Sequence, residues 1–160
     1  MTVPAAGPAA GSRAPDFQTQ NQYGEPVRLS DYAGRRDVVL VFYPYAFSQV
    51  CTSELTALRD RPDLLEAAEF LAISCDPMFT LRAYDDAHHL GFSLLSDFWP
   101  HGAVATAYGA FDPDRGCARR ATFVVDRTGT IRWSVLNPMP EARNPADYAA
   151  ALAELGADLR

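Results

Sequence analysis

The chain has 160 residues, 48% of them hydrophobic and 21% charged, which fits one globular domain with a full core. A net charge of -6 argues against nucleic-acid binding, which needs clustered positive charge. The 14 residues counted as Lys or Arg are all arginine, so lysine-based Schiff-base or general-base chemistry is excluded.

Residues 1–12, rich in Ala, Gly and Pro, offer little apolar area against the entropy of ordering; a disordered tail is expected there, with a domain over 13–160. Phe17–Gln20 and Glu25–Leu29 read as short strands about an Asn21–Gly24 turn, and Ser30–Tyr32 as a helical turn. Val38–Tyr43 is continuously apolar and β-branched, the pattern of a central strand covered on both faces. Helical periodicity runs from Cys51 to about Arg61, is interrupted at Pro62, and resumes from Asp63 to Ala68. Glu69–Ser74 is a strand, Met78–Leu90 a helix stopped by Gly91, Phe92–Leu95 a strand and Val104–Tyr108 a short helix. Arg120–Asp126 and Thr130–Val135 flank a turn at Arg127–Gly129 and form a hairpin. A Pro-rich loop over Asn137–Asn144 precedes a helix from Pro145 to Leu155. Strands alternating with helices, closed by a hairpin and a helix, describe an α/β sandwich with a central mixed sheet flanked by helices.

Function should gather at the carboxyl ends of the parallel strands. Cys51 and Cys75 both follow such ends. Cys51 also stands at the start of a helix, where free backbone N–H groups and the helix dipole favour the charged thiolate. Three cysteines, odd in number and without CxxC spacing, fit neither a disulfide framework nor a zinc site. His88, His89 and His101 lack metal-ligand spacing with them. Residues 1–11 lack the charged and apolar segments of a secretion signal, and no apolar run approaches membrane-spanning length. A reducing cytosol is therefore the expected location.

Pro44-x-x-x-Ser48-x-x-Cys51, with Glu54 beyond it, resembles the peroxiredoxin signature Pro-x-x-x-Thr/Ser-x-x-Cys. Leu95–Val104 and Arg120–Asp126 are similar to the single-cysteine alkyl hydroperoxide reductase E group of actinobacteria. The resemblance implies a thioredoxin-like fold and a thiol-dependent peroxidase without metal, haem or flavin. Its substrates would be hydrogen peroxide, organic hydroperoxides or peroxynitrite. By the same match, Cys51 would be the nucleophile that becomes a sulfenic acid, and Ser48 a hydroxyl for the peroxide. Pro44 would be the lid of the pocket, Phe47 a further substrate contact, and Arg120 the cation for the departing oxygen. An antiparallel pairing of Arg120–Asp126 with Val38–Tyr43 would carry Arg120 to Cys51; Arg119 is the neighbour that could be confused with it.

Taken alone, Ser48 could be a helix N-cap, Pro44 a strand terminator, and Glu54 a favourable charge in the first helical turn. Cys75 suits packing, and Cys117 lies three residues before Arg120 in a loop. Neither falls at a recognisable resolving position. The expectation is rescue by an external thiol, either mycothiol or a mycoredoxin- or thioredoxin-like protein. The alternatives are a two-cysteine enzyme resolved by Cys117 or Cys75, and a peroxide sensor without turnover. His101, Trp99, Phe98 and Phe47 are read as an apolar patch suited to a homodimer or larger homo-oligomer.

Overall fold

A computed structural model describes residues 7–159. Its centre is strand β3, Val38–Phe42, in which every side chain is buried. The remaining strands of the main sheet are β1 (Gln18–Gln20), β2 (Pro26–Arg28), β4 (Glu69–Ser74), β5 (Ser93–Ser96), β8 (Arg120–Val125) and β9 (Ile131–Asn137). They lie in the order β2-β1-β5-β4-β3-β8-β9. Strands β3, β4 and β5 are mutually parallel, whereas β8 pairs antiparallel with β3, and β9 with β8. The expected mixed sheet is thus present.

Because side chains alternate across a strand, β3 feeds two cores. Leu40 and Phe42 face one side with Leu71, Ile73, Tyr108 and Phe123. Val39 and Val41 face the other, packing with Leu55 and Leu58 of α1 (Gln49–Arg59), Tyr84 of α3 (Met78–His88), and Tyr148 of α5 (Pro145–Leu159). Pro62 opens α2 (Pro62–Ala67) as its first residue, where no N–H is needed, so the interruption is a new helix start. Helix α4 covers Ala103–Ala107.

Two stretches differ from expectation. A small hairpin, β6 (Phe111–Asp112) with β7 (Cys117–Ala118), occupies sequence that has no periodic pattern. Its turn is built by Asp112 Oδ1, which accepts the N–H groups of Asp114 (3.0 Å) and Arg115 (3.2 Å). Cys117, expected in a loop, is therefore a buried strand residue. The second stretch is the expected tail. Its residues 1–6 lie outside the described residues, but Gly11 N–H donates to Ile131 O at 2.7 Å, and Ile131 N–H to Ser12 O at 2.9 Å. Backbone pairing with the start of β9 supplies what the Ala/Gly/Pro composition lacks in apolar area.

Candidate active site

The site is assembled where β3 gives way to α1. Tyr43 still bonds as a strand residue, its N–H donating to Ile73 O at 3.0 Å, and buried Pro44 then ends the ladder. Across the loop, Ala46 N–H donates to Asp76 Oδ2 at 2.9 Å, and Phe47 takes a positive φ of 70°. The first helical bond of α1 is Thr52 N–H to Ser48 O, 2.9 Å. Cys51 is the third residue of this helix and precedes that bond, so its N–H belongs to the set without an intrahelical partner.

Cys51 is fully buried, and Nη1 and Nη2 of Arg120 each lie 3.4 Å from its Sγ. The register that brings them together pairs Val41 with Thr122 and Val38 with Val125. Arg120, itself 3% exposed, is held from two further directions. Its Nε donates to Met139 O at 2.5 Å, and its Nη1 pairs with Glu54 Oε1.

Glu54 does not sit in the first helical turn, where no acidic residue is found. It lies one turn beyond Cys51 on the same helix face, 3% exposed. Both of its oxygens are engaged by a residue for which the sequence held no signal, Arg143 of the Pro-rich loop. Arg143 Nε donates to Oε2 at 2.7 Å, its Nη2 to Oε1 at 3.0 Å, and its backbone N–H to Oε2 at 2.8 Å. Its Nη1 reaches Ala121 O and Thr122 Oγ1, both at 3.0 Å. Two guanidinium groups thus enclose one carboxylate beside one thiol, a net positive surrounding for Cys51.

Ser48 occupies the N-cap position, yet its side chain makes no cap bond; Oγ donates instead to Tyr45 O at 3.0 Å. With its proton committed there, the hydroxyl presents lone pairs outward. Pro44, Ser48, Val50, Arg115, Arg120 and Met139 line an open pocket of about 210 Å³, which reaches the buried Cys51 only through Arg120; Cys51 itself does not line it. Phe47, expected as a substrate contact, is not among the residues lining this pocket. Its ring rests on Tyr84, centroids 4.9 Å apart, and near His88 at 6.5 Å, because the positive φ carries the side chain back over α3. Nor does it join the other aromatics: Phe98 and Trp99 line a separate groove with Phe79 and Met78. His101 braces the loop carrying them, with Nε2 2.7 Å from Gly116 O.

The other cysteines are buried and free, as is Cys51. Burial, reinforced by the Asp97 carboxylate, pushes the Cys75 thiol up to about 12. Burial also raises the Cys117 thiol. Both stay protonated near neutral pH and are poor nucleophiles.

A model of the AhpC/TSA family matches residues 10–134. The chain belongs to this family. It is a peroxiredoxin, a thiol-dependent peroxidase on a thioredoxin-like α/β fold. Alkyl hydroperoxide reductase E of Mycobacterium tuberculosis is 44% identical over 149 residues, which span 92% of this chain and 97% of that protein. The crystal structure of peroxidoxin BcpB from the same organism superposes with a TM-score of 0.79 at 31% identity, covering 92% of this chain and 96% of its own. The reduced 2-Cys peroxiredoxin of Plasmodium vivax gives a TM-score of 0.85 over 93% of this chain and 83% of its own; at 24% identity it speaks to the fold alone.

Proposed function

We propose that this peroxiredoxin works with one redox-active thiol, Cys51, reducing hydrogen peroxide and organic hydroperoxides and being restored by an external thiol. The observation that carries the reading is the pair of Arg120 N–H groups at 3.4 Å from Cys51 Sγ. This fork of N–H groups can hydrogen-bond the sulfur and follow the negative charge as it moves to the departing oxygen.

In the proposed reaction the thiolate attacks one peroxide oxygen. An S–O bond forms and the O–O bond breaks. Sulfur is oxidised by two electrons to the sulfenic acid, and the second oxygen leaves as hydroxide or alkoxide and takes up a proton. Ser48 Oγ, whose own proton is held by Tyr45 O, would accept the peroxide O–H. The Cys51 N–H and Arg120 would donate to the oxygens. Pro44 would roof the pocket and restrain over-oxidation by limiting water and peroxide access.

The buried, protonated state of Cys75 and Cys117 supports rescue from outside over a resolving disulfide. Intact-mass analysis after one peroxide equivalent tests this. The wild-type chain should gain one oxygen, on Cys51, and Cys51→Ser none. A Cys51–Cys117 or Cys51–Cys75 disulfide would instead establish the two-cysteine reading. Sustained turnover with an added thiol separates the enzyme from a sensor that oxidises once and stops.

A homodimer is part of the proposal. Phe79, Phe98 and Trp99 are 74%, 46% and 82% exposed around one groove, and exposed aromatic side chains gathered at one place are of the kind that mark an interface. Sedimentation of wild type against Trp99→Asp tests it: the variant should fall to the monomer. Among the described residues no helix is long and apolar enough to cross a membrane. A cytosolic location remains the proposed one, supported by three free thiols.

A further inference from the structure

A concavity of about 300 Å³ lies at the opposite end of β3 from Cys51, and the thiol site does not account for it. Val38 and Val125, a register pair of β3 and β8, close its back. Ala14, Leu29 and Tyr32 supply apolar walls. Backbone hydrogen bonds hold these walls in place: Ala14 N–H donates to Gly129 O at 2.9 Å, Leu29 N–H to Phe17 O at 3.2 Å, and Gly34 N–H to Arg127 O at 2.8 Å. The space is therefore preformed, at the lower end of the size range of small-molecule sites.

The polar groups that line it are unequally committed. Asp16 Oδ1 already accepts the N–H groups of Phe17 (2.9 Å) and Ser30 (3.0 Å). Asp126 Oδ1 accepts those of Thr128 (2.8 Å) and Thr130 (3.1 Å), and its Oδ2 takes Arg132 Nε at 2.6 Å. Arg36 is turned elsewhere, its Nη2 donating to Glu66 O at 3.0 Å and its Nη1 lying 3.7 Å from Glu69 Oε2. By contrast, among the described residues no hydrogen bond or ion pair engages the Arg13 guanidinium or the Tyr32 hydroxyl. Both can be reached from solvent, Arg13 being exposed and Tyr32 half-buried. An antiparallel bridge between Arg13 and Thr130 fixes the backbone that carries the guanidinium.

These groups narrow what fits. An apolar cleft whose open polar groups are a cation and an O–H donor matches an apolar molecule with one carboxylate. A planar guanidinium meets a carboxylate through two parallel N–H bonds. A dianion would face the Asp16 and Asp126 carboxylates in the same lining, which disfavours phosphates.

We propose that this concavity is a second binding site of the protein, for a small apolar monocarboxylic acid with a short alkyl chain or a single ring. The carboxylate pairs with Arg13 and accepts the Tyr32 O–H. The apolar part lies on Leu29, Val38 and Val125. Because Cys51 follows the other end of β3, an acid bound here does not compete with peroxide.

The test is calorimetric titration of the full chain in its reduced form. Octanoate should bind at one site about tenfold more tightly than octanol, the worth of one charge-assisted contact, and octylammonium should not bind. From butanoate to octanoate each added methylene should tighten binding about fourfold. Arg13→Gln should weaken octanoate about tenfold and leave octanol as it was. Arg127 is an exposed cation of the adjoining turn that does not line the concavity, so Arg127→Gln should bind octanoate as the wild type does. Ala33→Trp, a change at an exposed position of the rim, should weaken octanoate and octanol alike by about tenfold or more. Equal affinity for octanoate and octanol, equal losses in the two arginine variants, or full affinity in Ala33→Trp would each overturn the proposal. Saturating octanoate should leave the rate of Cys51 oxidation by hydrogen peroxide unchanged; competition with peroxide would place the acid at the thiol site and overturn the proposal as well.

Discussion

Arg143 holds both carboxylate oxygens of Glu54, with Nε on Oε2 at 2.7 Å and Nη2 on Oε1 at 3.0 Å. Glu54 in turn pairs with Arg120 beside Cys51. A loop residue is thereby tied, through one carboxylate, to the cation next to the thiol. Arg143→Met would leave Glu54 short of a partner in a site from which water is excluded. Truncating one member of such a buried network typically costs about 3–5 kcal/mol. A fall of that size in unfolding free energy is expected in urea titrations, together with slower oxidation of Cys51. Arg143→Lys should recover only part of either, because an ammonium cannot replace a planar fork that binds Glu54, Ala121 and Thr122 together.

The two adjacent arginines should behave very differently toward peroxide. Arg120 directs both Nη groups at Cys51 Sγ, whereas Arg119 lines a separate pocket. Arg120→Ala should lower the second-order rate of Cys51 oxidation about 10²–10³-fold, the usual cost of losing a preorganised donor to developing charge. Arg119→Ala should oxidise at close to the wild-type rate. Stopped-flow fluorescence with hydrogen peroxide reads both, and equal losses would remove the distinction between them.

Ser48 separates a structural role from a chemical one. Its hydroxyl caps nothing and bonds Tyr45 O at the surface, so Ser48→Ala should cost less than about 1 kcal/mol of stability. The same change should slow peroxide reduction about tenfold or more, since a positioned hydroxyl is lost. Ser48→Thr should restore the rate. An alanine variant that loses stability but keeps its rate would make Ser48 structural.

Alkaline pH should weaken the fold. Burial raises the Cys75 thiol to about 12, and burial likewise raises the Tyr84 hydroxyl to about 12. The unfolded chain releases such protons from about pH 9 for cysteine and pH 10 for tyrosine, whereas the folded protein keeps them. Above pH 9 the unfolded state thus binds fewer protons, and stability falls as pH rises. This contribution is complete below about pH 8.5 and is lost progressively toward pH 12. Urea midpoints should be level from pH 7 to 8.5 and decline between pH 9 and 11. Cys75→Ala should make that decline shallower; a level profile up to pH 11 would contradict the assignment.

Some of this was legible in the order of residues and some was not. The apolar run Val38–Tyr43, the stop at Pro44 and the helical pattern after Ser48 are local signals, set by backbone sterics and side-chain periodicity, and they are where the peroxiredoxin signature lies. The hairpin from Arg120 was equally readable, because strand length and turn chemistry are local too. The turn around Asp112 carried its own signal, an Asp-Pro-Asp-Arg-Gly run, but its strands are two residues each and show no periodicity. The positive φ of Phe47 and the contact of its ring with Tyr84 were not legible, because residue type alone does not announce that conformation.

What the sequence determined by itself was the order of the elements apart from the β6–β7 hairpin, the candidate nucleophile and the family likeness, all of which rest on near neighbours along the chain. Arg120 was already expected beside Cys51 from the pairing of its strand; only the tertiary structure brought Arg143 to Glu54 and so completed the charges around the thiol. The partners of Cys51 and Glu54 arrive from Arg120 and Arg143 across strand pairings and an irregular loop. Charges so far apart in sequence meet only after the sheet register and the cores on its two faces have fixed where each backbone runs.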